Sequence, residues 1–344
     1  MAEFISTFTS GFSELVKEDF PKRIPSVKIL NLFDGLIHYQ FAGNSRDLSK
    51  IVYFNNTFFL LKSWKGKDLN FPMMVGNIQK EKKYFLINKG TFRVRFSKEN
   101  QFARVDKNIA RRAEEAVLNN SKLSIDRVNP TTEIWYSIRS QDFAFCGQLI
   151  SKREFTEKNL NKGELRPEIA YFMCLMTDFS PDSIIAEPFA GYGSIPLQLA
   201  KKFKFQKLFV SDIDEEKIKN LCDKKNLKER DDIEISVQNA FELKNIKDKS
   251  LDLVITDPPW GFYEDIRDIK DFYNKTFDSF YRKLKDDGKI VLLSARKEEL
   301  EELLKIRSDF NFIKSYHTLV NGKKAALYLI QKQYDRQGPL RLKP

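Results

Sequence analysis

Residues 256–261 read Thr-Asp-Pro-Pro-Trp-Gly and follow directly on an apolar run, Leu251–Ile255. Such a run reads as a buried strand, and two successive prolines cannot continue its ladder, so the strand ends here. The prolines also fix φ and remove two N–H donors, leaving the loop with carbonyl oxygens and side chains. Asp257 adds a carboxylate acceptor and Trp260 a flat π-surface. Acceptors beside a stacking surface suit a planar base carrying an exocyclic amino group. The lone pair of that amine is delocalised into the ring. Acceptors on its two hydrogens draw it toward tetrahedral geometry and favour attack on an electrophilic methyl. A plain tight turn after a strand is the other reading of the same residues.

Three more strand ends upstream carry ligand-like groups. The run Ser183–Glu187 is followed by Pro188-Phe189-Ala190-Gly191-Tyr192-Gly193-Ser194. Glycines there let the backbone turn tightly and approach a ligand where a Cβ would clash. Position 196 is proline where a dinucleotide fingerprint needs a third glycine, so a ligand lacking a pyrophosphate fits better. The next strand, Lys207–Asp212, ends in Asp212-Ile213-Asp214, placing an acid to bind both ribose hydroxyls. The strand Ile233–Gln238 runs into Asn239-Ala240-Phe241, where Asn239 could reach an adenine amino group and Phe241 could pack on its ring.

The 344 residues allow two or three domains, and 42% hydrophobic with 31% charged residues is a globular composition. No run of about 20 apolar residues exists, so no membrane span is expected. The first residues, MAEFISTFTSGF, lack the basic start and apolar core of a secretory signal. Cys146, Cys174 and Cys222 form no CxxC pair, which argues against a disulfide framework or zinc site and fits a reducing cytoplasm. Each reads as a small buried hydrophobe. With His38 and His317 alone, neither a histidine triad nor a metal cluster is expected.

The net charge of +11 is uneven: residues 1–160 hold 26 Lys and Arg against 17 Asp and Glu, the remainder 33 against 31. A basic half joined to a near-neutral half suggests that the first binds a polyanion. Residues 1–64 alternate as strand 3–9, helix 12–20, strands 26–33 and 36–41 around Asp34-Gly35, helix 46–54 and strand 57–64. That β-α-β-β-α-β order is the ferredoxin-like split unit. A less regular stretch over 65–90 precedes a strand at 91–97 and a helix at about 104–119 carrying Lys107, Arg111 and Arg112. Strands 133–139 and 143–150 follow. Alternation in the first puts Ile134, Tyr136 and Ile138 on one face and Trp135, Ser137 and Arg139 on the other, open to nucleic acid or to packing. A polar linker is expected at 151–163. Beyond it, strands and helices alternate with βαβ spacing, closing in apolar runs 313–319 and 325–331 around Asn321-Gly322, a type I′ hairpin signature.

These residues resemble the class I S-adenosylmethionine-dependent methyltransferases that act on exocyclic amines through an Asp/Asn-Pro-Pro-aromatic motif. The chain order is similar to the THUMP-domain RNA guanine-N2 methyltransferases, and Leu165-Arg166-Pro167-Glu168-Ile169-Ala170 looks like their helix before the glycine motif. The resemblance implies an α/β fold: a C-terminal Rossmann-like class I methyltransferase sheet with an antiparallel end hairpin, preceded by an α+β ferredoxin-like plus THUMP region. It implies a ferredoxin-like domain at 1–64, a THUMP-like RNA-binding domain at 65–155 and a methyltransferase domain at 164–335. S-adenosyl-L-methionine is then the cofactor, held by Glu187, Pro188, Phe189, Ala190, Gly191, Gly193, Asp212, Ile213, Asn239 and Ala240. Asp257, Pro258, Pro259 and Trp260 form the catalytic loop, Lys107, Arg111 and Arg112 meet RNA, and no metal is needed. The implied partner is RNA, with tRNA favoured over rRNA by the three-part architecture, in the cytoplasm.

Two departures stand out. The family usually has Asp where this chain has Glu187, and Tyr or Phe is commoner than Trp260 in the guanine enzymes. Tryptophan is frequent in adenine-N6 enzymes, which keeps that base open. A protein glutamine methyltransferase and a silent RNA-binding protein on a methyltransferase scaffold are the remaining readings.

Overall fold

Period-2 apolar patterning and glycine-bearing turns dominate the first 150 residues, and they build one sheet. In the computed structural model, which describes residues 1–153, 160–161, 163–262 and 266–333, contacts divide the chain into two units. Unit 1 is Met1–Thr9 with Val16–Glu154, and unit 2 is Ser10–Leu15 with Phe155–Pro344. Of the linker expected at 151–163, residues 154–159 and 162 lie outside the described residues.

Unit 1 contains β1 (Ala2–Thr7), β2 (Lys28–Phe33), β3 (Leu36–Phe41), α2 (Ser45–Leu48), β4 (Asn56–Lys65) and α3 (Phe71–Lys80). It continues through β5 (Thr91–Lys98), β6 (Gln101–Phe102), α4 (Lys107–Leu118), β7 (Ser124–Ile125), β8 (Thr132–Arg139) and β9 (Phe143–Lys152). The helix α1 (Ser13–Arg23) begins in the short segment assigned to unit 2. The strands share one sheet in the order β2-β3-β1-β4-β9-β8-β5-β6, with β7 on β5. Residues 1–64 and 65–155 thus meet through the antiparallel β4–β9 pair.

Three expectations change here. The stretch 65–90 contains α3. Asn70 caps it, its Oδ1 accepting from Met73 N at 3.0 Å, and Met74, Val75 and Ile78 are buried at helical spacing. Gly76, a helix-weakening residue, hides that periodicity in the sequence. The helix at 46–54 is confined to Ser45–Leu48, with turns beyond. Cys222, the last residue of its helix, is exposed, whereas Cys146 and Cys174 are buried. Burial pushes the Cys146 thiol up to about 12, so it stays protonated.

Unit 2 contains α5 (Pro167–Leu175), β10 (Ile184–Glu187), α6 (Ser194–Lys202), β11 (Lys207–Asp212), α7 (Glu215–Cys222), α8 (Lys225–Lys228), β12 (Ile233–Val237) and β13 (Leu251–Thr256). It closes with α9 (Ile269–Lys283), β14 (Leu284–Ser294), α10 (Lys297–Ile306), β15 (Phe310–Val320) and β16 (Lys323–Lys332). The sheet runs β12-β11-β10-β13-β14-β16-β15. Its first five strands are parallel and β16 is antiparallel to both neighbours. Parallel strands are covered on both faces, which is why Leu251–Ile255 lacks alternation. Val254, Ile290 and Leu292 accordingly share a core with Tyr273, Phe277 and Phe280 of α9. Asn321 at φ 50° and Gly322 at φ 78° form the expected turn of the β15–β16 hairpin.

The chain starts at the central strand β10, builds outward to β12, and returns to β13 on the other side. A crevice therefore opens outside the carboxyl ends of β10 and β13. The fold is a Rossmann-like class I methyltransferase sheet with the antiparallel end hairpin expected. No helix among the described residues is long and apolar enough to cross a membrane.

Candidate active site

A cavity of about 610 Å³ occupies that crevice, within the range of small-molecule sites. Of the residues singled out in the sequence, Pro188, Phe189, Ala190, Gly191, Asp212, Ile213, Asn239, Ala240, Asp257, Pro258, Pro259 and Trp260 all line it. The glycine turn and the Pro-Pro loop thus face one space. Glu187 and Gly193 are not among the lining residues.

The reason for each placement is local. Gly191 adopts φ 51°, and its N–H donates to Asp212 Oδ2 at 2.8 Å, locking the turn after β10 to the end of β11. Asp212 Oδ1 accepts from Asp214 N at 3.0 Å. Gly193, at φ 83°, is the N-cap of α6, and a Cβ there would lie 2.4 Å from Leu221 Cδ2. The positive φ is what requires glycine there, since Leu221 Cδ2 ends a flexible side chain. Asn239 Oδ1 accepts from Phe241 N at 2.9 Å, an Asx turn that carries the chain off β12. Ile213 is 70% exposed at the rim, an apolar side chain suited to cover a ring.

Glu187 is fully buried one residue before the wall. Its Oε1 accepts from Thr256 Oγ1 at 3.0 Å and from Phe189 N at 3.2 Å, whereas Oε2 has no hydrogen-bond partner among the described residues. Burial pushes this carboxyl well above its ordinary value. The two hydrogen bonds oppose that, and Asp257 and Asp212 reinforce it. A buried acceptor left open next to a cavity suits a cationic group, which would restore the carboxylate.

The Pro-Pro loop is held from the end of β14. Arg296 Nε donates to the Trp260 carbonyl at 2.7 Å, its Nη2 reaches the Gly261 carbonyl at 3.5 Å, and its guanidinium stacks 4.3 Å from the Phe262 ring. Ser294 Oγ accepts from Arg296 N at 2.8 Å and is itself bonded to Tyr273 OH at 2.7 Å. Trp260 Nε1 is buried with no hydrogen-bond partner among the described residues. Sequence reasoning missed Arg296, though it follows β14 as the other site residues follow their strands. It also missed Phe272, Val320 and Asn321, which reach the wall from α9 and the end hairpin.

The three basic residues of α4 are in unit 1. Lys107 and Arg111 are exposed, the latter 3.4 Å from Glu115. Arg112 donates through Nε and Nη2 to Gln79 Oε1 at 3.0 and 2.8 Å, tying α4 to α3. Among the described residues no group of three or more His, Cys, Asp or Glu could hold a metal ion.

A model of the UPF0020 family, the RMKL-like methyltransferase domain, matches residues 153–324, half of the chain. The chain belongs to that methyltransferase family. A tRNA (guanine(6)-N2)-methyltransferase of Thermus thermophilus is 25% identical over 133 residues, 38% of this chain. The match spans 39% of that relative's length. Among solved structures, TrmN from Thermus thermophilus superposes with a TM-score of 0.80 at 18% identity, over 96% of this chain and 100% of that one. A possible methylase from Clostridium difficile 630 gives 0.73 at 16% identity, covering 98% and 99%. A putative methyltransferase complexed with SAH gives 0.71 at 13%, with the same coverage. These likenesses establish the fold of the methyltransferase family.

Proposed function

We propose that this chain methylates the exocyclic amine of an RNA base, guanine N2 in tRNA, with the Asp257–Trp260 loop as its catalytic element. The observation that carries the reading is the shared cavity: the Asp257–Trp260 loop and the glycine turn line one space. The named relative that acts on guanine N2 of tRNA supports the choice of base and RNA.

The cofactor is S-adenosyl-L-methionine, which when bound supplies a methyl group on a sulfonium centre. Glu187 Oε2 and Asp212 offer the carboxylates that its ammonium and ribose hydroxyls require, and Ile213, Asn239, Ala240 and Phe241 the surround for its adenine. Asp257 and the Pro258 carbonyl accept the two hydrogens of the substrate amine, while Trp260 stacks on the base. Holding the amine there converts an encounter into a positioned reaction, the source of much of the rate. No covalent enzyme intermediate is needed. Residues 1–64 and 65–155 serve as the ferredoxin-like and THUMP-like domains that dock RNA, and the cysteine usage fits work in the cytoplasm. Trp260 in place of Tyr or Phe favours adenine N6 as the second reading. Incubation with labelled cofactor and tRNA, rRNA, DNA or protein, followed by nucleoside mass spectrometry, tests this. N2-methylguanosine in tRNA is expected, and label in protein alone would overturn the proposal.

Two further results are expected. Because burial raises Glu187, the unliganded carboxyl is protonated above the ordinary carboxylate range, and binding an ammonium must release that proton. Cofactor affinity should therefore rise with pH, by up to about tenfold per unit between the ordinary and the raised values. The sign for stability is opposite: the unliganded protein loses stability as pH rises through that window. Calorimetry in buffers of different ionisation enthalpy checks the proton release, and Glu187→Gln should remove the pH dependence.

On α4, Lys107→Ala and Arg111→Ala should each lower the slope of log affinity for tRNA against log salt by about 1. Arg112→Ala should instead lower the melting temperature, since its guanidinium joins two helices. Equal slopes for all four proteins would remove α4 from the RNA interface.

A further inference from the structure

The two faces of the unit 1 sheet differ in what covers them. In the parallel β5–β8 pair, Phe92, Val94 and Phe96 stand beside Thr132, Ile134 and Tyr136. Phe92, Phe96, Ile134 and Tyr136 are buried with Met74 and Ile78 of α3 and Ala113 and Val117 of α4. The alternate positions, Arg93, Arg95 and Ser97 beside Glu133, Trp135 and Ser137, point the other way. Phe102 on the edge strand β6 pairs with Ser97 and so joins this second face.

There Phe102 is 65% exposed. The Arg95 guanidinium lies 4.8 Å from its centroid, and the Trp135 ring lies 5.4 Å away, inclined at 52°. Trp135 is itself fixed: its Nε1 donates to Glu133 Oε2 at 2.7 Å and its ring packs 5.4 Å from Phe58. An open aromatic surface is thus backed by a rigid ring and a cation, at the edge of a sheet. The surrounding sequence is basic. Residues 65–155 carry 18 Lys and Arg against 10 Asp and Glu, whereas 1–64 carry 7 against 6.

We infer that Phe102, with Arg95 and Trp135, is a stacking site for an unpaired base of single-stranded RNA, resting on the reading that this chain acts on RNA. The ring takes whichever base is splayed out, and the Arg95 guanidinium over it, 3.8 Å from Glu133, adds a cation–π contribution. A duplex keeps its bases stacked internally and offers this face phosphates only. The site is separate from the basic residues of α4, which packs on the opposite face of the sheet.

Fluorescence anisotropy on the full chain tests it, with a 12-nucleotide single-stranded RNA and a blunt RNA duplex. Phe102→Ala should weaken single-stranded binding by about 5- to 100-fold at an unchanged salt slope, and leave the duplex within about twofold. Phe102→Trp should bind single strands as the parent does. If the parent binds single-stranded RNA and Phe102→Ala binds it equally, the stacking site is wrong while the RNA reading stands. That outcome includes a face used by a protein partner. Equal losses on single strand and duplex also overturn stacking. A parent chain that binds neither RNA overturns the stacking site and the RNA reading together.

Discussion

Asp257→Ala is expected to abolish methyl transfer, by a factor on the order of 10³ or more, while the cofactor binds within about threefold of the parent affinity. Removing one preorganised group that stabilises a developing charge typically costs about 10²–10³ in rate, and on the proposed reading Asp257 also orients the amine. Cofactor affinity should survive because its proposed acceptors, Glu187 and Asp212, stand at the ends of β10 and β11, whereas Asp257 follows β13. The Pro-Pro backbone and its anchor from Arg296 are untouched by the change. Asp257→Asn keeps one acceptor oxygen without the charge and should fall between the two. Single-turnover transfer with labelled cofactor, paired with calorimetric binding, separates rate from affinity. Turnover within tenfold of the parent would remove Asp257 from the catalytic role.

Gly11→Ala is the largest expected effect on stability. Gly11 adopts φ 96°, where an L side chain is strained, and a Cβ there would lie 1.9 Å from the carbonyl oxygen of His317. The obstacle is backbone, so no rotamer change relieves it. His317 is held in register opposite Ala326 within the β15–β16 pair. The segment 10–15 would have to move instead. It would then give up the Phe12–Phe172 stack at 4.2 Å, the bond from Tyr316 OH to Glu14 Oε2 at 2.9 Å, and that from Thr318 Oγ1 to the Ser10 carbonyl at 2.9 Å. Phe12 is fully buried, and exposing such a ring costs about 1.5–3 kcal/mol by itself. A total of at least about 3 kcal/mol is expected, lowering the melting temperature by roughly 6–12 °C. Thermal unfolding of the full chain reads this directly. An unchanged transition would mean that Gly11 does not approach β15.

Much of the candidate site was legible in the chain because its signals are local. Prolines at 258 and 259 end β13 whatever lies around them. Glycine at 191 marks a turn at positive φ, and Asp212 closes an apolar run. Asn321-Gly322 specifies a hairpin through two residues that tolerate φ above zero. Each statement depends on a few neighbouring torsions or on the period of apolar residues. The fold class followed from the same local signals, since strand–helix alternation with long spacing admits a parallel sheet. α3 escaped because Gly76 broke an otherwise helical pattern whose cap, Asn70, lay just upstream.

What no local signal carried was which segments meet. Nothing around Arg296 says that its guanidinium closes on the carbonyls of Trp260 and Gly261, thirty-five residues or more earlier. Phe272, Val320 and Asn321 became cavity wall only when α9 and the end hairpin took their places. The segment around Gly11 was read with the N-terminal strands and packs with β15, at the far end of the chain. Torsional preference and periodicity act over one to four residues and are written in the sequence. Contacts between distant segments are selected by the packing of the whole unit, so the closed site and its anchor were decided by tertiary structure alone.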